Sequence, residues 1–302
     1  MTAGLDERLL DSIPELCGPR QVEVLPGGLT NHNYKVSVAG GVYVVRVSSA
    51  DADLLAIDRD NEYRNSVIAA ASGVGAPVIA YRPDAHLMVV GFIDGTTFTD
   101  DSFGAPGTLA RVARACRRLH DGPRFVNDFN MFDIQRDYRA LVEQRGFRHP
   151  AGYSSYQPQV DRIRRALAVR DEGSVACNND LLAGNLVDDG EQVRLIDYEY
   201  PGNNDACFEL GNLWSGCHLS LDQLQELLCC YYGRPLRNKL ARAQLQGLMS
   251  RYGWTLWACI QQATSSLDFD FWSWGLQKYE AAEQMFRSPD FERLLAQAQL
   301  AD

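Results

Sequence analysis

Asp180 and Asn185 stand five positions apart in "CNNDLLAGN" (Cys177–Asn185), and Asp197 follows twelve residues later at the end of the apolar run "VRLID". An aspartate that can accept a hydroxyl proton, beside an amide and a second carboxylate that offer hard oxygens to a divalent cation, supplies the parts that phosphoryl transfer requires. The spacing alone proves little. With 26 Asp and 13 Asn in 302 residues, about one Asp-x4-Asn is expected by chance, and Asp60/Asn65 is another such pair. Context separates the two. "CNNDLLAGN" is framed by strand-like "SVAC" and "LV" and has a carboxylate behind it, whereas Asp60 and Asn65 fall inside a helical pattern with neither.

The same chemistry needs backbone donors over the phosphates and a fixed cation. "PGGLTNHNY" (Pro26–Tyr34) lies between two strand patterns. Gly27 and Gly28 permit close backbone approach, and Thr30, Asn31 and Asn33 add side-chain donors, although a glycine pair between strands is equally a hairpin turn. Arg46 interrupts the apolar "VYVVRV", and a charge in such a strand demands a partner. Glu62, in "RDNEYR" on the next helix, can supply it, which is the arrangement kinases use; an Arg46 that faces solvent is the alternative. Glu199 follows Asp197 by two residues and can support a metal or the hydrogen bonding of the site. Trp254 and Trp257 lie one helical turn apart and can share a face, as core residues or as a binding wall.

These residues need elements to position them. After a helical lead-in at 8–17, the chain turns β-rich: "QVEVLPGG", "HNYKVSV", "GVYVVRV" and "HLMVVGF" read as strands between glycine turns, with one helix around Ala56–Ser72. The texture changes at Asp94–Asp101. Beyond Pro106, amphipathic patterns such as "GTLARVARACRRLH", "QVDRIRRALAVR" and "LARAQLQGLMSRYGWTLWACIQQ" dominate, and Ser220 with Gln223 makes a capping box before "LDQLQELLCCYY". The expected fold is α+β with two lobes: a small β-rich nucleotide-binding lobe over 1–95, and a larger, mainly helical lobe over 96–302 that holds the catalytic loop and the substrate pocket. A cleft between lobes is a favoured ligand site.

Bulk properties exclude several classes. Hydrophobic residues make up 46% and charged residues 23%, an ordinary globular balance. No apolar run approaches the roughly 20 residues that cross a bilayer, and "MTAGLDERLLDSI" has no basic segment followed by a long apolar one, so neither a membrane span nor a secretory signal is expected. The eight cysteines form no CxxC pair and read as buried thiols of a reducing compartment, so a cytoplasmic location is expected. The five histidines show no metal-ligand spacing. A net charge of −10 argues against a nucleic-acid partner and is compatible with a small cationic substrate.

Together, "PGGLTNHNY", "VYVVRV", "CNNDLLAGNLV", "LIDYEYPGNNDACFELGNLW" and "WTLWACIQQATSSLDFDFW" resemble the choline/ethanolamine kinase family, including its bacterial members. That family is a branch of the aminoglycoside phosphotransferase and protein-kinase-like superfamily. The resemblance runs over residues 20 to 285. The Asp-x4-Asn and Asp197 motifs are shared across the superfamily; Arg46 in place of lysine, "DYEY" and "WTLWACIQQATSSLDF" are more specific.

The resemblance implies a protein-kinase-like fold and an enzyme that uses ATP and Mg²⁺. It would move the γ-phosphate onto the hydroxyl of a small amino alcohol, choline or ethanolamine. Asp180 would accept or orient that hydroxyl, and Asn185 and Asp197 would hold the metal. Arg46, fixed by Glu62, would neutralise phosphate charge beneath the Gly27–Asn33 loop. The hinge "VVGFIDG", with Gly91 and Ile93, would receive adenine on its backbone. Trp254, Trp257 and Trp274, with Asp180 and Glu199, would surround the substrate's ammonium, since an indole face suits a cation that cannot be hydrogen-bonded. No nucleic acid or membrane partner is implied, and a homodimer is allowed.

Two departures stand out. The family reads histidine where this chain has Asn178, which can donate a bracing hydrogen bond but lacks the ring's packing, so a looser catalytic loop is expected. Eukaryotic choline kinases place a substrate-facing glutamate where this chain has Gly216. The alternatives are a kinase for another hydroxylated amine (thiamine, or an aminoglycoside, which would call for an acidic pocket) and a nucleotide-binding pseudokinase acting as a binding module. Against the last, Asp180, Asn185 and Asp197 without a metal would leave like charges around one pocket.

Overall fold

Alternation along two paired strands builds the first layer of the computed structural model, which describes residue 5, residues 7–48 and residues 54–301. β2 (Asn31–Val38) and β3 (Gly41–Ser48) form a hairpin at the centre of a five-stranded antiparallel sheet. With β1 (Arg20–Leu25), β4 (Val78–Arg82) and β5 (Leu87–Gly91), the order is β1-β2-β3-β5-β4. Successive side chains point to opposite faces. Tyr34, Val36, Val45 and Val89 fill one face against Leu10, Ile13 and Leu16 of the lead-in, which contains α1 (Glu7–Asp11) and a 3-10 turn (Pro14–Leu16). On the other face Asn33, Arg46 and Met88 stand directly opposite one another and make a row across three strands. α2 (Arg59–Ala71) carries Glu62 on its buried side, and its N-cap Asp58 accepts the Asn61 amide at 2.9 Å.

The larger part is organised around α8 (Arg237–Thr264), against which α6 (Ala206–Gly216), α4 (Met131–Arg145), α9 (Phe271–Arg287) and α10 (Asp290–Ala298) pack. α5 (Gln157–Ala168) lies against α10, and α3 (Thr108–His120) pairs with α7 (Leu221–Tyr232). The expected capping box begins α7: Ser220 Oγ accepts the Gln223 amide at 3.1 Å and Gln223 Oε1 accepts the Ser220 amide at 2.9 Å. Short strands complete the frame. β6 (Thr96–Thr97), β8 (Leu186–Asp188) and β9 (Val193–Leu195) make one small sheet, and β7 (Val175–Cys177) pairs with β10 (Gly202–Asn204). The segment with Asp180 and Asn185 therefore runs between β7 and β8, and Asp197 sits between β9 and β10.

The molecule is α+β, a small antiparallel lobe on a larger helical part. β4, α4, α6, α9 and α10 add to the elements that the sequence predicts. No described helix is long and apolar enough to cross a membrane.

Candidate active site

β7 feeds the chain into "NNDLLAGN", where Asn178 and Asn179 are fully buried and Asn179 takes a left-handed φ of 67°. Such a conformation costs little for asparagine and re-aims the backbone sharply. The turn is braced from below. Glu209 of α6, also fully buried, accepts the amides of Asn178 (2.9 Å) and Asn179 (2.7 Å). Asn178 does more than the single bond expected of it. Its Nδ2 donates to the carbonyls of Ile196 and Asp197, both at 3.1 Å, and its Oδ1 accepts the Asp180 amide at 3.1 Å. One side chain thus ties the Asp180 loop to the Asp197 turn. Asn185 Nδ2 donates to the Asp180 carbonyl at 2.8 Å, which leaves Asn185 Oδ1 for a cation.

The Asp180 carboxylate makes no hydrogen bond among the described residues. Burial, with Asp197 and Glu199 nearby, pushes its pKa well above the usual carboxylate range, and Lys278 of α9 opposes that shift. A carboxylate raised in this way is the better proton acceptor.

Opposite it lies a five-membered charge cluster. Arg46 Nη2 reaches Asp197 Oδ1 at 2.5 Å and Glu62 Oε1 at 3.3 Å. Arg59, which the sequence reading did not single out, bridges Glu62 Oε2 (2.6 Å) and Glu199 Oε1 (2.7 Å). Burial works against the Arg46 charge, but Asp197, Glu62 and Glu199 outweigh it and raise its pKa. Burial raises Glu62 and Asp197 in spite of the arginines. For Glu199 burial also opposes ionisation, yet Arg59 and Arg46 hold its carboxyl below the usual range. Glu62, Asp197 and Glu199 can bring one oxygen each within 4.8 Å of one another. With Asp180 they leave carboxylates in excess of the two guanidiniums. Hard oxygens with excess negative charge suit Mg²⁺, and Asn185 Oδ1 and an Asp197 oxygen could donate to such an ion.

A cavity of about 510 Å³ lies between the lobes, lined by Gly27, Gly28, Asn33, Arg46, Asn185 and Asp197 among others. Gly28 admits no side chain, because a Cβ there would meet the Asn31 carbonyl oxygen at 2.3 Å. Thr30 and Asn31 turn away from this cavity: Thr30 Oγ1 donates to Glu199 Oε2 at 2.5 Å and Asn31 Nδ2 to Glu199 Oε1 at 2.8 Å. Glu199 accordingly anchors the glycine loop, and it also lines a cavity of about 270 Å³ with Asn61, Phe129 and Tyr200. Gln261 of α8 holds the same loop, donating to the Leu29 carbonyl at 3.0 Å. At the far end of the cavity, the Gly91 amide is committed to the Pro77 carbonyl (2.8 Å), so Gly91 can offer a ligand only its carbonyl. The Ile93 amide has no backbone partner among the described residues.

Trp254 and Trp257 belong to the main core, 5% and 6% exposed. Their indole N–H groups donate to Asn212 Oδ1 (3.2 Å) and Tyr200 OH (2.8 Å). Tyr200, three residues past Asp197, stacks edge-on to Trp254 with ring centroids 4.8 Å apart, and Trp257 meets Trp274 at 5.6 Å. The result is one aromatic wall. Trp274 is its most exposed tryptophan, and the Lys278 ammonium sits 4.1 Å from its ring centre. Where a substrate-facing acid was expected, a Cβ on Gly216 would meet Leu182 Cδ2 at 2.7 Å, so the catalytic-loop leucine fills that place. The decoy pair is structural: Asp60 accepts from Tyr81 OH (2.9 Å), and buried Asn65 bonds Asn127 and the Val126 amide.

Arg59, Glu209, Tyr200, Gln261 and Lys278 complete the site; all but Lys278 lie inside the quoted "RDNEYR", "LIDYEYPGNNDACFELGNLW" and "WTLWACIQQATSSLDFDFW" stretches, and Arg59 stands one helical turn before Glu62.

Known proteins resemble this chain in sequence and in fold. The choline/ethanolamine kinase family matches residues 22–226. The protein LicA of Haemophilus influenzae is 24% identical over 272 residues, which cover 85% of this chain and 77% of that protein. A choline/ethanolamine kinase family protein from Mesorhizobium loti has a similar structure, with a TM-score of 0.85 and 30% identity over 97% of this chain and 98% of that one. Choline kinase LicA from Streptococcus pneumoniae is similar in fold, with a TM-score of 0.77 and 21% identity over 93% and 96% of the two chains. Motifs, fold and relatives converge, and the chain belongs to the choline/ethanolamine kinase family.

Proposed function

We propose that this kinase transfers the γ-phosphate of ATP to the hydroxyl of choline or ethanolamine. The observation that carries the reading is the Asp180 carboxylate, without a hydrogen-bond partner among the described residues and in one loop with Asn185, which with Asp197 lines a cavity roofed by the glycine loop. The nucleotide lies in that cavity, with adenine against the backbone of Gly91 and Ile93 and the phosphates under Gly27, Gly28 and Asn33. We take the nucleotide-binding lobe as 1–95 and the helical lobe as 96–302. Mg²⁺, held by Asn185 Oδ1 and Asp197, would neutralise triphosphate charge. Arg46, kept in place by Glu62, takes a phosphate oxygen. Asp180 orients the alcohol and receives its proton as the oxygen bonds to the γ-phosphorus and ADP departs. Catalysis then rests on positioning and on fixed charge, and no covalent enzyme intermediate is needed. The aromatic wall of Tyr200, Trp257 and Trp274 is the part of the site assigned to the ammonium, which would share the Trp274 ring with Lys278.

The test is Mg²⁺-dependent ADP release with choline, ethanolamine and thiamine, each alone, in the wild type and in Asp180→Ala. Turnover is expected with choline or ethanolamine. Loss of the carboxylate is expected to lower kcat by about 10²–10⁴, while ATP binding persists. Undiminished turnover in Asp180→Ala would remove Asp180 from the mechanism.

A further inference from the structure

A second cavity, of about 290 Å³, opens on the opposite side of the catalytic loop from the glycine loop, between Leu182–Gly184, the end of α6 and the faces of α8 and α9. Its charge is unusual for a site that serves a cationic substrate. Two cations line it, Arg251 from α8 and Lys278 from α9, and its one lining acid, Asp100, is exposed at the rim. Neither cation has a carboxylate within ion-pair distance among the described residues. Arg251 spreads its guanidinium over the Trp214 ring at 4.8 Å and touches Met285 Sδ at 3.6 Å. Lys278 makes no hydrogen bond among the described residues and leans on Trp274, one helical turn earlier. Half-buried cations held by aromatic faces alone retain most of their hydrogen-bonding capacity, and that capacity attracts an oxyanion.

We propose, resting on the amino-alcohol reading above, that Arg251 and Lys278 form an oxyanion subsite that holds the phosphate of the phosphomonoester product. The free amino alcohol carries no anion, so the oxyanion on this side of the loop is the group newly bonded to the acceptor oxygen. That oxygen lies at Asp180, and Lys278 is the cation whose charge acts most strongly on the Asp180 carboxylate. The catalytic loop itself offers no cation, because "DLLAGN" is uncharged after its aspartate. Lys278 supplies from α9 what the loop lacks. The charged and titratable groups around it are Asp180 from the loop, Arg251 from α8, Cys217 just past α6, and His218 and Asp100 on the cavity wall. Burial pulls the Lys278 ammonium down to about 8 although Asp180 resists the shift. Its charge is therefore present below that pH and lost above it.

The test is titration calorimetry on the full chain with phosphocholine, phosphoethanolamine, the free amines and inorganic phosphate. It compares the wild type with Lys278→Met, Arg251→Met and Lys278→Arg, alongside KM for the amines and for serine as a carboxylate-bearing acceptor. Each methionine variant is expected to weaken the phosphomonoester and inorganic phosphate about tenfold, and to weaken them more than it weakens the free amine. Lys278→Arg should restore binding. Wild-type affinity for phosphate should fall as pH rises through about 8, and Lys278→Arg should abolish that fall. Unchanged phosphomonoester affinity in both methionine variants overturns the proposal and leaves the amino-alcohol reading intact. Equal weakening of amine and phosphomonoester without rescue by arginine overturns it as well. Turnover of serine but of neither amine, lost in Lys278→Met, overturns both, because the oxyanion would then be the acceptor's own carboxylate.

Discussion

Asn178 shows how one residue can replace a larger one without loosening a loop. Its two amide hydrogens satisfy the carbonyls of Ile196 and Asp197, and its oxygen takes the Asp180 amide. The looser loop expected from the missing imidazole ring is not what the structure shows, since the site has closed around the smaller side chain. Asn178→Ala would strand buried polar groups, each costing about 1–3 kcal/mol, and is expected to lower both thermal stability and kcat. Asn178→His would force a ring into a fully buried place, where overpacking costs about 1–3 kcal/mol. It too should lower the melting temperature and should not raise kcat; a histidine variant both more stable and faster would refute this account of the position. At this scale the sequence was most readable where spacing is local. Asp180, Asn185 and Asp197 fall within eighteen positions of one another and between strand patterns. Lys278 meets the site only through the fold, 98 residues after Asp180, so no local pattern could assign it, whereas Arg59 stands one helical turn before Glu62 and was open to an i,i+3 reading.

At the scale of elements, the glycine loop between β1 and β2 is fastened by the helical part it faces. Glu199 holds Thr30 and Asn31, and Gln261 holds the Leu29 carbonyl. The loop is thus held open over the cavity before any nucleotide arrives, which lowers the ordering cost of binding. Gly28→Ala would drive a methyl into the Asn31 carbonyl, and the backbone must shift to relieve it. The expected outcome is a rise in KM for ATP of about tenfold or more, with kcat less affected and circular dichroism unchanged. Equal KM values for the two proteins would show that the loop does not cradle phosphate. The hairpin strands were legible through their β-branched residues between glycine turns. β4 was not, because its residues are all half-buried and carry no period. α6 was missed for the opposite reason: nearly every side chain in it is buried, so it has no polar face to mark helical periodicity.

Across the whole molecule, the charge cluster joins the two parts and would couple the ligands it receives. Arg46 from the sheet grips Asp197 from the helical part, while Arg59 spans Glu62 and Glu199. Asp197 is therefore already neutralised by the cation that should serve the nucleotide. A metal ion arriving alone would have to compete with Arg46 at 2.5 Å, and a nucleotide arriving alone would have to draw Arg46 away from a half-buried carboxylate and leave it unpaired. When both arrive together, Asp197 would be free to hold the metal and Arg46 a phosphate oxygen, and neither charge would be stranded. The two ligands should consequently bind with positive coupling, typically 1–3 kcal/mol between linked sites. Thermal melts check this. Mg²⁺ alone and ATP alone should each raise the melting temperature slightly. The pair at saturating concentration, about 100 Kd, should add about 2.7 kcal/mol of stability, with a rise clearly greater than the sum of the separate effects. Chelation of the metal should return the melt to that of ATP alone. In Arg46→Met the competition disappears, so Mg²⁺ alone should stabilise the variant more than it stabilises the wild type, against a lower starting melting temperature. Additive shifts in the wild type, with no gain for Mg²⁺ in Arg46→Met, would mean that the arginine does not gate the metal.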